Sequence, residues 1–568
     1  MFLLFGLLAV CLAWLLPGHY PPWVSFEQQL VAAIGAGLVV AGAWASSRRQ
    51  AATMPLSLLA CAALVAALVP WVQLATGQVR FLQDALVSSS YLVAFALCTI
   101  GGAVWAKQNR QQFLVGLEAA VIAAGIVSMG LALVQWLELG PLAYVADMAP
   151  GGRPFANIAQ PNQLCSLFAL ALLATLRAFE QGRMRGPVAT LAAAWFGIGM
   201  VMTQSRTGWL LVAVFVVWFM LTCQRVGLKL SRLAVAGGAI AVVLGVLCWE
   251  TVNRWLLLPI DALGERAQAA GRWVTWETLW DALMRKPWTG YGWTQVGMAQ
   301  QAAILDHPAV NAWMANSHNI ALDFLLWNGL PLGAVFIGVV VLWFWRQVRA
   351  CRSVEQWLLL TSVGVLWVHG LLEYPLEFTY FLFPLGLMMG ALDGFDSRSA
   401  VWRVPRAFFG AVLLVMFGLL GWIGIEYLEV QSASTRLRFV MSGIGVDKVP
   451  DAPVPDVVLL DSLREFHRYW QTPVKAGASE ADLAWARDIT LRYAGPPAML
   501  RFALAAGLNG RPREAADTLA RLCKMNVVMR CDEARDSWTK LQAQHPILSA
   551  VPLPPQRFAP ARPVVPFP

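Results

Sequence analysis

The 568-residue chain is 58% hydrophobic and only 13% charged, with a mean hydropathy of +0.58. Soluble domains carry about 45–50% apolar and about 25% charged residues, so an ordinary globular enzyme is excluded and a membrane protein is indicated. The net charge of +9 invites nucleic acid as a partner, but few of the basic residues form a patch, and most of the excess has a topological meaning instead.

Residues 1–428 hold 24 Lys+Arg and 19 Asp+Glu, whereas 429–568 hold 18 and 14 in only 140 positions. The second density is that of a water-soluble domain. A spanning helix needs about 20 mostly apolar residues. Thirteen such runs are predicted in chain order: 2–16, 28–45, 56–75, 85–105, 113–138, 160–179, 187–204, 207–222, 231–250, 319–345, 356–373, 377–392 and 405–428. The first resembles the apolar region of a signal peptide, but no Lys or Arg precedes it and no small-residue cleavage site follows, so it is read as a span. Short cytoplasmic loops are enriched in Lys and Arg. Here the basic clusters, from Arg48/Arg49 and Lys107/Arg110 through Arg177/Arg183/Arg185 to Arg398/Arg403/Arg406, fall on every second loop and total 16 residues; the short loops of the other parity hold only Arg80, Arg153 and Arg206. The N-terminus is therefore expected in the cytoplasm. On the outer side, the periplasm in a bacterium, lie a 68-residue loop (251–318) and the C-terminal region.

The predicted organisation is thus nine spans (1–250), a periplasmic loop with an interfacial helix (251–318), four more spans (319–428), a periplasmic helical domain (429–551) and a Pro-rich tail (552–568). In the helical domain, Met499–Ala506 and Pro512–Cys523 read as a helix–turn–helix of tetratricopeptide-like type. Cys523 and Cys531 are the one cysteine pair in that region, and an oxidising compartment permits a disulfide between them.

Polar residues near the outer span ends are the candidates for chemistry. Arg206 stands in Thr203-Gln204-Ser205-Arg206, where the topology disfavours positive charge, so an anionic ligand is expected there. In Arg266–Met284, apolar residues recur at helical spacing through Trp273, Trp276, Leu279/Trp280 and Leu283; a surface helix with a buried aromatic face is predicted, carrying Arg272 at the interface and Arg266 earlier in the same segment. The following Gly290-Tyr291-Gly292 turn is a candidate for presenting Tyr291 to a sugar. In Asn316-Ser317-His318-Asn319, an N-cap at Asn316 or Ser317 puts His318 in the first helical turn, where the helix dipole favours neutral imidazole, a competent base. His369 and Glu373, four apart, are expected to share a helix face, and Asn157, Gln160, Asn162 and Gln163 cluster before the sixth span. No common metal-ligand set, P-loop or serine-hydrolase elbow is present. Two arginines that bind pyrophosphate bidentately and a histidine base suit glycosyl transfer from a lipid-linked donor.

The ordered set Gly152-Arg153-Pro154-Phe155-Ala156-Asn157, Gln160-Pro161-Asn162-Gln163, Thr203-Gln204-Ser205-Arg206, Arg272-Trp273, Gly290-Tyr291-Gly292, Ser317-His318-Asn319, Trp327-Asn328-Gly329 and Leu372-Glu373-Tyr374-Pro375-Leu376 resembles the bacterial O-linked protein oligosaccharyltransferases (PglL-type), relatives of the O-antigen ligases and polymerases. The resemblance implies an all-α polytopic membrane protein with the integral-membrane glycosyltransferase C-type fold, located in the bacterial inner membrane. It implies en bloc transfer of a glycan from undecaprenyl pyrophosphate to Ser or Thr of periplasmic proteins such as pilins, with inversion, no cofactor and no metal, by a monomer among membrane lipids. It makes His318 the base and Arg206 and Arg272 the pyrophosphate ligands; Arg266, Tyr291, Asn319, Asn157, Gln160, Asn162, His369 and Glu373 are expected to line the substrate site. The alternatives are an O-antigen ligase or polymerase with a glycan or lipid A core acceptor, and, from another class, a lipid-linked glycan transporter.

Overall fold

A computed structural model describes residues 1–47, 52–158, 160–259, 271–396, 399–442 and 453–555. Its helices are α1 (Phe2–Ala13), α2 (Phe26–Ser46), α3 (Leu58–Ala66), α4 (Val69–Ala75), α5 (Leu82–Gln108), α6 (Arg110–Trp136), α7 (Pro161–Glu180), α8 (Gly186–Met202), α9 (Arg206–Val226), α10 (Arg232–Trp255), α11 (Gly271–Arg285), α12 (Val296–Ala303), α13 (Ile320–Ala350), α14 (Val354–Gly370), α15 (Thr379–Phe395) and α16 (Arg406–Met441). Five more follow: α17 (Asp461–Gln471), α18 (Glu480–Arg492), α19 (Pro496–Leu508), α20 (Pro512–Lys524) and α21 (Val528–Gln544). The protein is an all-α polytopic membrane protein. Among the described residues, nine helices are long and apolar enough to cross a bilayer, taking Leu58–Ala75 as one, and helix stands at each of the thirteen predicted positions. The predicted third span is broken, because Pro70 in the first turn of α4 lacks the N–H that would continue α3. A short antiparallel ribbon, Thr53–Ser57 with Ala400–Pro405, was not legible in the sequence.

The chain divides into two compact units. The first comprises residues 1–67, 90–266 and 338–424. Its central helix is α7, 89% of whose apolar window is buried, against 17% for α9 and α10. Glycines bring several backbones together: a Cβ on Gly6 of α1 would lie 2.6 Å from the Gly35 carbonyl of α2, and one on Gly390 of α15 only 1.9 Å from the Thr99 carbonyl of α5. Small residues at such positions substitute for the hydrophobic drive that lipid cannot supply between helices. Arg177, counted in the sequence among the basic residues of a cytoplasmic loop, is 5% exposed near the end of α7 and ion-paired with Glu118 and, at 2.7 Å, Glu355.

The second unit comprises residues 68–89, 267–337 and 425–568, so the loop before α13 and the C-terminal helices fold together. Val274 of α11, Ile304 and Val310 share one core with Met499, Leu522, Cys523 and Cys531. The expected helix–turn–helix is α19 and α20, turning at Gly510 (φ 74°); Ala503, Ala506 and Ala515 let it close over Trp538. Lys524 donates to three carbonyls of the loop, Ile304 at 3.2 Å and Leu305 and His307 at 2.7 Å; burial lowers its pKa. At the other end Arg492 grips Asp84 with two nitrogens, and the Glu426 carboxylate receives the N–H groups of Val458, Leu459 and Leu460. Cys523 and Cys531 are disulfide-bonded.

Candidate functional site

Arg206 and His318 each stand at a turn that leads into a helix, one in each unit. In the first unit, α8 ends at Met202 and α9 starts at Arg206. Gln204 takes a left-handed conformation (φ 46°), which costs a non-glycine residue of order 1–3 kcal/mol. Ser205 then caps α9, its hydroxyl accepting the Gly208 N–H at 3.0 Å. The same hydroxyl donates to Asn162 Oδ1 (2.8 Å), and Asn162 Nδ2 donates to Glu373 Oε1 (3.0 Å). This buried relay holds the turn that carries Arg206. The Arg206 side chain is exposed at the first helical position, where the dipole disfavours a cation by a few tenths of a kcal/mol.

His369, fully buried, meets Ser166 Oγ at 2.7 Å. Asn157 is not available to a substrate: its Nδ2 donates to the Leu15 and Tyr144 carbonyls and its Oδ1 accepts the Ala146 N–H. Its neighbours are held by Gln135, whose amide engages both Ala146 and Ala156 while its oxygen takes the Phe155 and Ala156 N–H groups. Gln135 lies inside an apolar run and carries no motif, so no sequence signal marks it. Gln160 precedes α7 as its N-terminal flanking residue. Arg266 lies outside the described residues.

In the second unit the predicted surface helix is α11, and its predicted apolar face is split. Leu279 and Leu283 are buried in the protein together with Val274, Thr278 and Ala282, whereas Trp273 and Trp280 are 62% and 49% exposed and Trp276 is half-buried. Arg272 is exposed beside Trp273. One turn on, Trp276 Nε1 donates to the Ser317 carbonyl at 2.8 Å, tying α11 to the His318 turn.

His318 is not in the first turn of α13. It precedes the helix in a left-handed conformation (φ 57°), and the cap is Asn319, whose Oδ1 accepts the Ala321 and Leu322 N–H groups at 3.0 and 3.2 Å. A carboxamide reaches donors two and three residues ahead, which moves the cap past Ser317 and removes the dipole argument for a neutral imidazole. Asn319 is thereby occupied as a cap. Asp323, missed in the sequence, receives the Ser317 N–H at 2.8 Å from the first turn of the helix.

The expectation for Tyr291 also changes. It is 5% exposed, and its hydroxyl donates to the Ala282 carbonyl at 3.1 Å. Its motif is an interlock: the Tyr291 N–H reaches the Leu326 carbonyl (2.6 Å) and Leu330 N–H the Pro287 carbonyl (2.7 Å). A Cβ on Gly290 would stand 2.3 Å from the Leu326 oxygen, and one on Gly329 2.4 Å from that of Trp288. Trp293 stacks on Trp327 at 4.5 Å and donates to Asn328. The two glycine motifs therefore fix α13 to the end of α11, leaving Trp288 as the exposed aromatic of this turn.

Residues 191–337 match a family model described as O-Antigen ligase, and residues 357–526 one described as Virulence factor membrane-bound polymerase, C-terminal. The chain is 28% identical over 448 residues to a "General O-oligosaccharyltransferase" of Acinetobacter baylyi, covering 77% of each protein. It is 27% identical to a "ComP-specific O-oligosaccharyltransferase" of the same organism, over 58% of this chain and 60% of the relative. The chain therefore belongs to the O-antigen ligase superfamily, as a PglL-type O-oligosaccharyltransferase, a membrane glycosyltransferase.

Proposed function

We propose that the enzyme moves a preassembled glycan from undecaprenyl pyrophosphate to a Ser or Thr hydroxyl of a periplasmic protein, a pilin being a fitting acceptor. The observation that carries this reading is the likeness to two O-oligosaccharyltransferases, one named as ComP-specific, in a chain whose His318 sits on a half-buried, externally braced turn. His318 takes the proton of the acceptor hydroxyl. The hydroxyl oxygen attacks the anomeric carbon from the face opposite the leaving group, so the configuration inverts. The bond from that carbon to the phosphate oxygen breaks, and its electron pair leaves with the pyrophosphate. Arg206 and Arg272 are the ligands for that pyrophosphate, and a planar guanidinium suits it because it binds two oxygens at once. Asn162 and Glu373 act as positioning residues for Arg206, and Trp276 and Asp323 for His318.

The proposed topology is thirteen spans with a cytoplasmic N-terminus in the inner membrane, and the loop and C-terminal helices in the periplasm. Alternating basic loops support it, and so does the Cys523–Cys531 disulfide in the second unit, since such bonds persist in oxidising compartments. The O-antigen ligase and polymerase matches favour one second reading, in which the acceptor is another glycan or a lipid A core. Co-expression with a lipid-linked glycan and a pilin separates the two. A glycan-sized mass gain on the pilin, absent in His318→Ala, supports the first; an unmodified pilin with elongated or core-attached glycan supports the second.

A further inference from the structure

The first unit contains a half-open apolar chamber of about 880 Å³ bordered by α7, α8, α9 and α10. That is near the upper end of the about 300–1,000 Å³ typical of ligand pockets. It follows the helices from Gly186 and Leu230 at one end to Val252 at the other, so it runs along the length of the spans. At the end nearest the Arg206 turn, Trp136 and Trp249, stacked at 4.9 Å, line both this chamber and a small polar pocket. Arg153, Gln204 and Asn253 contribute to the polar pocket, as does Glu138. Its volume of about 10 Å³ receives an oxygen-sized group, not a whole headgroup.

Two observations distinguish this chamber from ordinary helix packing. At the tight helix contacts of the unit small residues draw backbones together, as at Gly6 and Gly390. At Gly197 of α8 and Gly237 and Gly238 of α10, all facing the chamber, an added Cβ would meet nothing within 4 Å. Here the small residues keep helices apart from a space instead of closing one. Second, Gln204 is 4% exposed, lines the polar pocket, and its Oε1 has no hydrogen-bond partner among the described residues. An apolar channel with a polar, arginine-bearing end has the shape of an amphiphile.

We propose that this chamber binds the hydrocarbon tail of the polyprenyl pyrophosphate donor, with the anionic head at the Arg153 and Arg206 end of α9. The inference rests on the donor class proposed above. A tail leaving bilayer for protein gains no hydrophobic free energy, because lipid is as apolar as the chamber wall. Recognition is then by shape, and filling the space removes it.

The test compares glycan donors with undecaprenyl and farnesyl tails on the full-length enzyme in nanodiscs. Gly197→Leu and Gly238→Leu project into open space and replace glycine with a better helix former, so the fold tolerates them. Each is expected to lower the undecaprenyl-to-farnesyl ratio of kcat/KM at least tenfold, through KM. Gly130→Leu, whose Cβ also meets nothing within 4 Å but which lies outside the chamber, keeps the wild-type ratio. A wild-type ratio in both chamber variants overturns the proposal. Labelling by a diazirine-tailed undecaprenyl phosphate provides a readout independent of transfer. Crosslinks on α8 to α10 support the chamber even if the wild type transfers no glycan, a result that would sink the proposed function alone. Crosslinks elsewhere, or equal displacement by diacyl phospholipid, would show that the space is filled by bulk lipid and overturn the tail assignment.

Discussion

The Arg206 and His318 turns are built on one plan and braced in opposite ways. Each has a left-handed non-glycine residue, Gln204 or His318, then a capping side chain, Ser205 or Asn319, then a helix. In the first unit the strain falls on Gln204 and the functional side chain stands two residues later. There the cap is bound sideways to Asn162 and Glu373. In the second unit the strain falls on His318 itself, and the bracing reaches the backbone of Ser317 from Trp276 and Asp323. The difference matches the two tasks. An arginine that binds an anion needs only its helix end held still, whereas a base must hold its ring at one angle to the attacking hydroxyl.

The comparison can be broken at several points. His318→Ala should cost the most, about 10²–10⁴-fold in kcat, with an unchanged melting curve. Arg272→Lys and Arg206→Lys should each lower kcat/KM for the donor by tenfold or more, the scale of a lost charge-assisted hydrogen bond of about 1.5–3 kcal/mol. Near-normal turnover in either would remove that arginine from bidentate binding. Replacing both Cys523 and Cys531 by Ser should lower the stability of the second unit by about 2–3 kcal/mol, from the loss of a crosslink over a short loop, with the first unit unaffected in limited proteolysis. Asn162→Ala cuts the relay and should cost about 1–3 kcal/mol together with a higher donor KM. Glu373→Gln, which keeps an acceptor oxygen, should recover most of that KM. Equal damage from both would make the relay purely structural.

The smallest effect is one of pH. His467 is 1% exposed between Ser434 Oγ and the Leu463 carbonyl, and burial depresses its pKa below 6.5. A histidine depressed on folding contributes stability in full above its unfolded pKa and loses it as pH falls through the folded value. Thermal stability of the second unit should therefore fall below about pH 6.5, and His467→Gln should flatten that dependence.

The positions of the long helices were legible because apolar runs of about 20 residues report bilayer thickness directly. Polar residues conspicuous by position, such as Arg206 and His318, stood out for the same reason. Partners that act by holding loop backbone did not: Gln135 and Asp323 sit inside helices and look like tolerated polar residues. The cap stands two or three residues later than the sequence suggests, since Asn316, Ser317 and Asn319 are all good capping residues and local pattern does not choose among them. Glycine motifs signalled close approach correctly, but at Gly290 and Gly329 the approaching group is backbone, not a sugar.

The most direct measurement is the intact mass of a pilin after incubation with the purified enzyme and an undecaprenyl pyrophosphate glycan. The account predicts one glycan mass added to the acceptor by the wild type and none by His318→Ala. An unmodified pilin beside consumed donor, or an equal gain with the variant, would contradict it.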